Sequence, residues 1–140
     1  MNTHIIESDV INENFCISKI DLKFVKSMDQ LQKFSISKII TAIKYSFMII
    51  KKMLIFRPKL VYFTPMPTGF GFYRDAFYVF ILKMFNVKVI LHLHGKGVRK
   101  NNKNYINRTL YKYVFHNIHV ICLSEILSKD ISDVYEGNPL

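Results

Sequence analysis

From residue 36 onward the chain switches repeatedly between two hydrophobic periods. Residues 36–56, ISKIITAIKYSFMIIKKMLIF, carry apolar side chains at helical spacing. That run stops at Arg57-Pro58, where the residue before proline is pushed out of the helical region. LVYFT, residues 60–64, is a short β-prone run that predicts a buried strand, and PMPTGFGF after it predicts a loop. Residues 74–85, RDAFYVFILKMF, predict a helix with Asp75 near its start, where a negative charge suits the dipole. This helix is apolar almost all round, so it is expected to be deeply buried. VKVILHLH predicts the next strand and GKGVRKNNKN a loop. Residues 104–116 predict a helix with Ile106, Thr109, Leu110 and Tyr113 on one side and Arg108 and Lys112 on the other. HVICLS, residues 119–124, predicts a third strand, and Ser124 an N-cap for a last helix carrying Leu127, Ile131 and Val134. Gly137, Asn138 and Pro139 make a turn near the end. In the first third only HIIESDVI and KIDLKFV are candidate strands.

Strand and helix alternating three times point to right-handed βαβ units: one α/β domain with a Rossmann-like parallel sheet flanked by helices. Continuous apolar strands fit a sheet covered on both faces. In such sheets ligands bind beyond the carboxyl ends of the strands. Here those ends carry TPMPTGFG, HLHGKG and LSE.

Composition supports a single packed core, with 140 residues of which half are hydrophobic. Charge changes the picture more. The formal net charge is +10, and between Gln30 and Ser124 sixteen Lys and Arg face a single acid, Asp75. Such a field attracts phosphates, anionic lipid headgroups or nucleic acid, although a solvated lysine-rich surface would look the same. No nucleic-acid-binding motif accompanies the charge, which disfavours that partner. Lys38, Lys44, Lys51 and Lys52 interrupt residues 36–56. A spanning helix needs about 20 largely apolar residues. At the helical rotation these lysines fall within one arc of about 140°. The segment therefore reads as an amphipathic helix with a membrane-facing basic side that does not span. Cys16 and Cys122 form no CxxC pattern, which fits a reducing cytoplasm, and MNTHIIESDV is not patterned as a signal peptide.

The chemistry concentrates in VILHLHGKG, residues 89–97. Strand alternation puts His92 and His94 on one face, with His94 at the very end where it could reach solvent or a ligand. Gly95 and Gly97 permit close approach to the backbone, and Lys96, Arg99 and Lys100 add positive charge, a setting for an anionic or polyhydroxyl ligand. His92 reads as a core histidine. No metal site is expected, because no third ligand sits at suitable spacing. His116 and His119 flank a turn and read as structural or exposed. In TPMPTGFGFYRD, Thr68 could donate a hydroxyl and backbone N–H groups near Gly69 and Gly71 could hold an anion. Arg74 beside Asp75 reads equally well as a local salt-bridged cap.

Taken in order, these residues resemble a known family. The run FRPKLVYFTPMPTGFGFYRDAFYVFILKMFNVKVILHLHGKG, with its R-P-x-L-V-Y strand entry, P-T-G loop with R-D and H-x-H-G strand end, resembles the amino-terminal domain of family-4 retaining glycosyltransferases of the GT-B type. V-I-C-L-S-E and the earlier KSMDQLQKFSISKI are similar too, the latter to bacterial members that build surface polysaccharides. The resemblance implies transfer of a sugar from a nucleotide-sugar donor to a glycan or lipid-linked acceptor, without a cofactor or catalytic metal. It implies that His94 lies at the reaction centre and that Thr68, Gly69, Arg74, Gly95 and Gly97 line the acceptor side. Against the family pattern, residues 1–140 correspond to the acceptor-side domain, incomplete at both ends, with the donor domain absent. Activity is then expected to require that domain or a second chain. The implied location is cytoplasmic, with a peripheral position at the inner face of the membrane left open. A non-catalytic acceptor-binding or membrane-docking remnant is the alternative.

Overall fold

The structure is a computed structural model in which residues 8–22 and 36–140 are described. In chain order its elements are α1 (Asp9–Asn14), α2 (Ile36–Phe56), β1 (Leu60–Phe63), α3 (Gly69–Met84), β2 (Lys88–Leu93), α4 (Val98–Asn101), α5 (Tyr105–Phe115), β3 (His119–Cys122) and α6 (Glu125–Ile131). The strands form one sheet in the order β1-β2-β3, and both pairings are parallel. Leu60 stands opposite Lys88 and Phe63 opposite Leu91, while Ile90 faces His119 and Leu93 faces Cys122. The sheet is parallel and flanked by helices, the Rossmann-like α/β class expected from the alternation of periods.

Parallel neighbours need crossovers long enough for a helix, and right-handed crossovers place α3 and α5 on one face of the sheet. α2 joins the same layer. Tyr78 Oη of α3 donates to the Ala42 carbonyl of α2 at 3.2 Å, and the rings of Phe72 (α3) and Tyr111 (α5) stack at 4.0 Å. Burial, aided by the Asp75 charge and opposed by that of Arg74, pushes the Tyr78 phenol up to about 12. Beneath the layer, Val89, Leu91 and Leu93 of β2 are buried with Val79 and Leu82 of α3 and Val114 of α5.

Local sequence explains how each crossover ends. Asn86 and Asn117 follow α3 and α5 with φ of 51° and 54°, in the similar strings FNVKV and HNIHV. Asparagine tolerates this left-handed conformation, which turns the chain out of the helix and into a strand two residues later. Arg57, with φ 47°, ends α2 ahead of Pro58. At the far end, the turn through Gly137–Pro139 brings Leu140 against β3. Its N–H donates to Val120 O and its carbonyl accepts from Cys122 N–H, both at 2.9 Å. These bonds straddle Ile121 as those of a parallel strand would.

Five expectations are corrected. Asp9–Asn14 is a helix rather than part of a strand, with Ser8 in the extended N-cap position and Asp9 in the first turn. Residues 4–7 of that segment lie outside the described residues. Of KIDLKFV, residues 19–22 are irregular and carry a Lys19–Asp21 ion pair, and 23–25 lie outside. The helix expected at 74–85 begins five residues earlier, at Gly69, because Thr68 supplies the extended N-cap and the Asp75 carboxylate reaches back to the Met66 N–H at 2.8 Å. It is not sealed all round: Phe70, Tyr73, Phe77, Phe80 and Met84 form an exposed stripe. In α5 the inner side is Tyr111, Val114 and Phe115, while Ile106 is exposed, so the face read from the sequence is the wrong one.

Candidate functional site

β2 carries the site. Its side chains alternate as expected: Val89, Leu91 and Leu93 are buried, while Ile90, His92 and His94 are half-buried on the opposite face. His92 Nδ1 shares a short hydrogen bond with Tyr62 Oη from β1. The two imidazoles lie with centroids 4.0 Å apart. His94 follows the last residue of the strand. The expectation that its ring reaches solvent is not met, since both nitrogens are sealed from water and neither has a hydrogen-bond partner among the described residues. His92 Nε2 is in the same position. His116 and His119 are both exposed.

Burial, and then the neighbouring His92, hold the His94 pKa below the ordinary imidazole value of 6.5. The neutral ring is therefore the form present at neutral pH, and it offers one N–H donor and one nitrogen acceptor. A base whose folded pKa is depressed binds its proton more readily when unfolded, so stability is lost as pH falls below about 6.5 and down to the folded pKa. We expect His94→Gln to flatten the fall in denaturation midpoint between about pH 7.5 and pH 5. Parallel curves for the variant and the parent would refute the assignment.

Two loops close beside His94. A Cβ placed on Gly95 would lie 2.8 Å from Pro67 Cγ, and one on Gly97 would lie 2.6 Å from Thr68 Cγ2. The glycines thus permit the 95–97 loop to pack against the 65–68 loop, which is a structural use of residues expected to face a ligand. Gly97 also needs its freedom, with φ of 132°. Tyr111 clamps the pair from below by donating to the Pro67 carbonyl at 2.7 Å. Burial pushes its phenol up to about 12. Tyr111→Phe is expected to cost about 1 kcal/mol, read by chemical denaturation, and to speed amide exchange in residues 65–69.

The backbone donors after Gly97 are occupied from within. Asp130 of α6, 5% exposed, accepts from Gly97 N–H at 2.7 Å, Val98 N–H at 2.8 Å and Arg99 N–H at 3.4 Å. Beside it lies a shallow basin of about 550 Å³ lined by Lys96, Gly97, Arg99, Lys100, Lys103 and Asp130. Arg99 also meets Asp133 at 3.6 Å.

Of the other expected acceptor-side residues, Thr68 occupies the N-cap of α3 without a capping side-chain bond, and its methyl lies against Gly97. Gly69, with φ of 70°, opens onto free space. Arg74 turns inward, its Nε 2.7 Å from Asp75 Oδ1. Asp75 is 1% exposed, and desolvation raises its pKa against the lowering pull of Arg74 and the Met66 N–H. The pair reads as a loop brace. The structure therefore gathers His94, Thr68, Gly95 and Gly97 and directs Arg74 elsewhere. Tyr62, Tyr111 and Asp130 belong to the same assembly and were not singled out by sequence. On α2, Lys44 and Lys51 are exposed, whereas Lys38 and Lys52 are half-buried and Lys52 Nζ bonds Ser18 Oγ.

Among the described residues, no group of three or more His, Cys, Asp and Glu side chains comes together in a manner that could hold a metal ion. Comparison with protein-family models, curated proteins and solved structures found no match to this chain.

Proposed function

We propose that this chain is the acceptor-side domain of a GT-B glycosyltransferase of the retaining family-4 type, with His94 at its reaction centre. One observation carries the reading. A half-buried imidazole stands just past the carboxyl end of the middle strand of a parallel sheet, where such folds bind ligands, with neither nitrogen partnered among the described residues. Buried polar atoms are ordinarily hydrogen-bonded, so an orphaned donor–acceptor pair at this place is the mark of a binding group. A neutral imidazole suits sugar hydroxyls, each of which can donate and accept.

In the proposed reaction the bond between the anomeric carbon and the diphosphate oxygen of a nucleotide sugar breaks. The acceptor hydroxyl oxygen bonds to that carbon, and its proton passes to the departing diphosphate. His94 holds sugar hydroxyls in place during this exchange once the groups that seal its nitrogens have moved aside, and the Thr68–Gly69 and Gly95–Gly97 loops shape the acceptor side. The acceptor is a glycan or a lipid-linked sugar. Donor contacts come from a second domain or chain.

The test has two arms. The His94 Cε1–H resonance, assigned through His94→Gln, should move on titration with the methyl glycosides of glucose, galactose, mannose or N-acetylglucosamine. With a donor-binding chain supplied, His94→Ala should slow transfer about tenfold or more at unchanged circular dichroism. A resonance that no glycoside moves, or turnover that the substitution leaves intact, would overturn the proposal.

A further inference from the structure

The outer surface of the α2-α3-α5 layer combines two properties that are seldom left together on a monomer surface: contiguous apolar exposure and unbalanced positive charge. On α3, Tyr73, Phe77, Phe80 and Met84 recur at helical spacing directly opposite the buried side, and Phe77 is 53% exposed. Phe77 and Phe80 stack with centroids 6.4 Å apart, and Phe80 reaches Tyr113 of α5 at 6.2 Å. The apolar strip therefore continues from one helix to the next. On α2, Ile36, Ile40, Ile43 and Phe47 are all exposed, Phe47 by 69%. A shallow groove of about 450 Å³ runs there between Lys44 and Lys51. The fully buried residues of α2 are Ser46, Ile49 and Met53, with Tyr45 and Ile50 packed beside them, so most of its apolar residues are not used by the core.

Charge decides what could cover this face. α2, α3 and α5 contain one acid between them, Asp75, which is buried and tied to Arg74. Lys44, Lys51, Arg108 and Lys112 are exposed on the same helices. Lys83 is not part of that set. Its ammonium bonds the Tyr113 and His116 carbonyls, and burial lowers its pKa. A second copy of the chain would bring the same uncompensated cations against each other, which costs free energy, whereas an anionic lipid surface neutralises them. Among the described residues no helix is long and apolar enough to cross a membrane. Docking must then be flat, with aromatic and aliphatic side chains entering the headgroup boundary and lysines reaching phosphates.

We infer that the outer face of α2, α3 and α5 is a docking surface for an anionic membrane. The inference stands apart from the glycosyltransferase reading, because it uses none of the residues around His94. Vesicle cosedimentation with the full chain tests it, using phosphatidylglycerol–phosphatidylcholine vesicles against pure phosphatidylcholine. Binding is expected to the anionic vesicles and to fall steeply with added salt. Lys44→Glu/Lys51→Glu should weaken it about tenfold or more, and Phe77→Ser/Phe80→Ser should abolish it, with circular dichroism unchanged in both because all four side chains are exposed. Equal binding to the two vesicle types, or binding to neither, would overturn the inference. So would a stable dimer that Phe77→Ser/Phe80→Ser converts to monomers while vesicle binding is unaltered.

Discussion

Asp130→Ala is expected to lower the unfolding free energy by about 3–5 kcal/mol, seen as a large drop in urea midpoint at near-constant slope. The carboxylate accepts two bonds of 2.7 and 2.8 Å and a longer third from consecutive N–H groups at residues 97–99. Bonds to a charged acceptor are stronger than neutral ones, and removal leaves donors stranded where Val98 is buried. Each stranded donor costs about 1–3 kcal/mol, and two are lost outright. That sum is a large share of the stability of any domain of this size. Asp130→Asn keeps one carbonyl acceptor and should recover about half of the loss. Because α6 and the 95–101 segment touch through this contact, amide exchange in both should rise together in the alanine variant. A loss under about 1 kcal/mol would mean that the carboxylate does not brace the loop.

Gly97→Ala is expected to cost about 3 kcal/mol, from two separable causes. The φ of 132° is a conformation that side-chain-bearing residues rarely adopt, worth about 1–3 kcal/mol. The new methyl would also sit 2.6 Å from Thr68 Cγ2, an overlap of the kind that costs about 1–3 kcal/mol. Thr68→Ser removes that methyl. Placed on top of Gly97→Ala it should return about 1–2 kcal/mol, leaving the backbone strain behind. A double-mutant cycle by chemical denaturation measures both parts. If the serine returns nothing, the two loops do not touch as described.

The difference between what could be read from residues and what could not has a physical basis. The parallel sheet was legible because LVYFT, VKVILHLH and HVICLS are continuous apolar runs separated by segments of helical length, and few folds accommodate that order. Which side of each helix is buried was not legible. α3 is apolar around its whole circumference, so its period carries no phase, and α5 offers two competing faces. The face that His94 shares with His92 followed from alternation, but alternation carries no sign that its nitrogens are sealed. Asp130 could have been noticed. It falls at the i+3 position between Leu127 and Ile131 on the inner side of α6, where an acid is out of place unless it is bonded. Its partners, 31 to 33 residues away, carried no sign of it.

The pairing of Leu140 with β3 has a practical corollary for anyone labelling this protein. Both main-chain polar groups of that residue are engaged at the rim of the sheet, and its direction matches that of β3. A tag or fluorophore fused directly after it is launched along the rim toward the end where His94 stands. A reporter there would sense events at that end, and a bulky one without a spacer would crowd it.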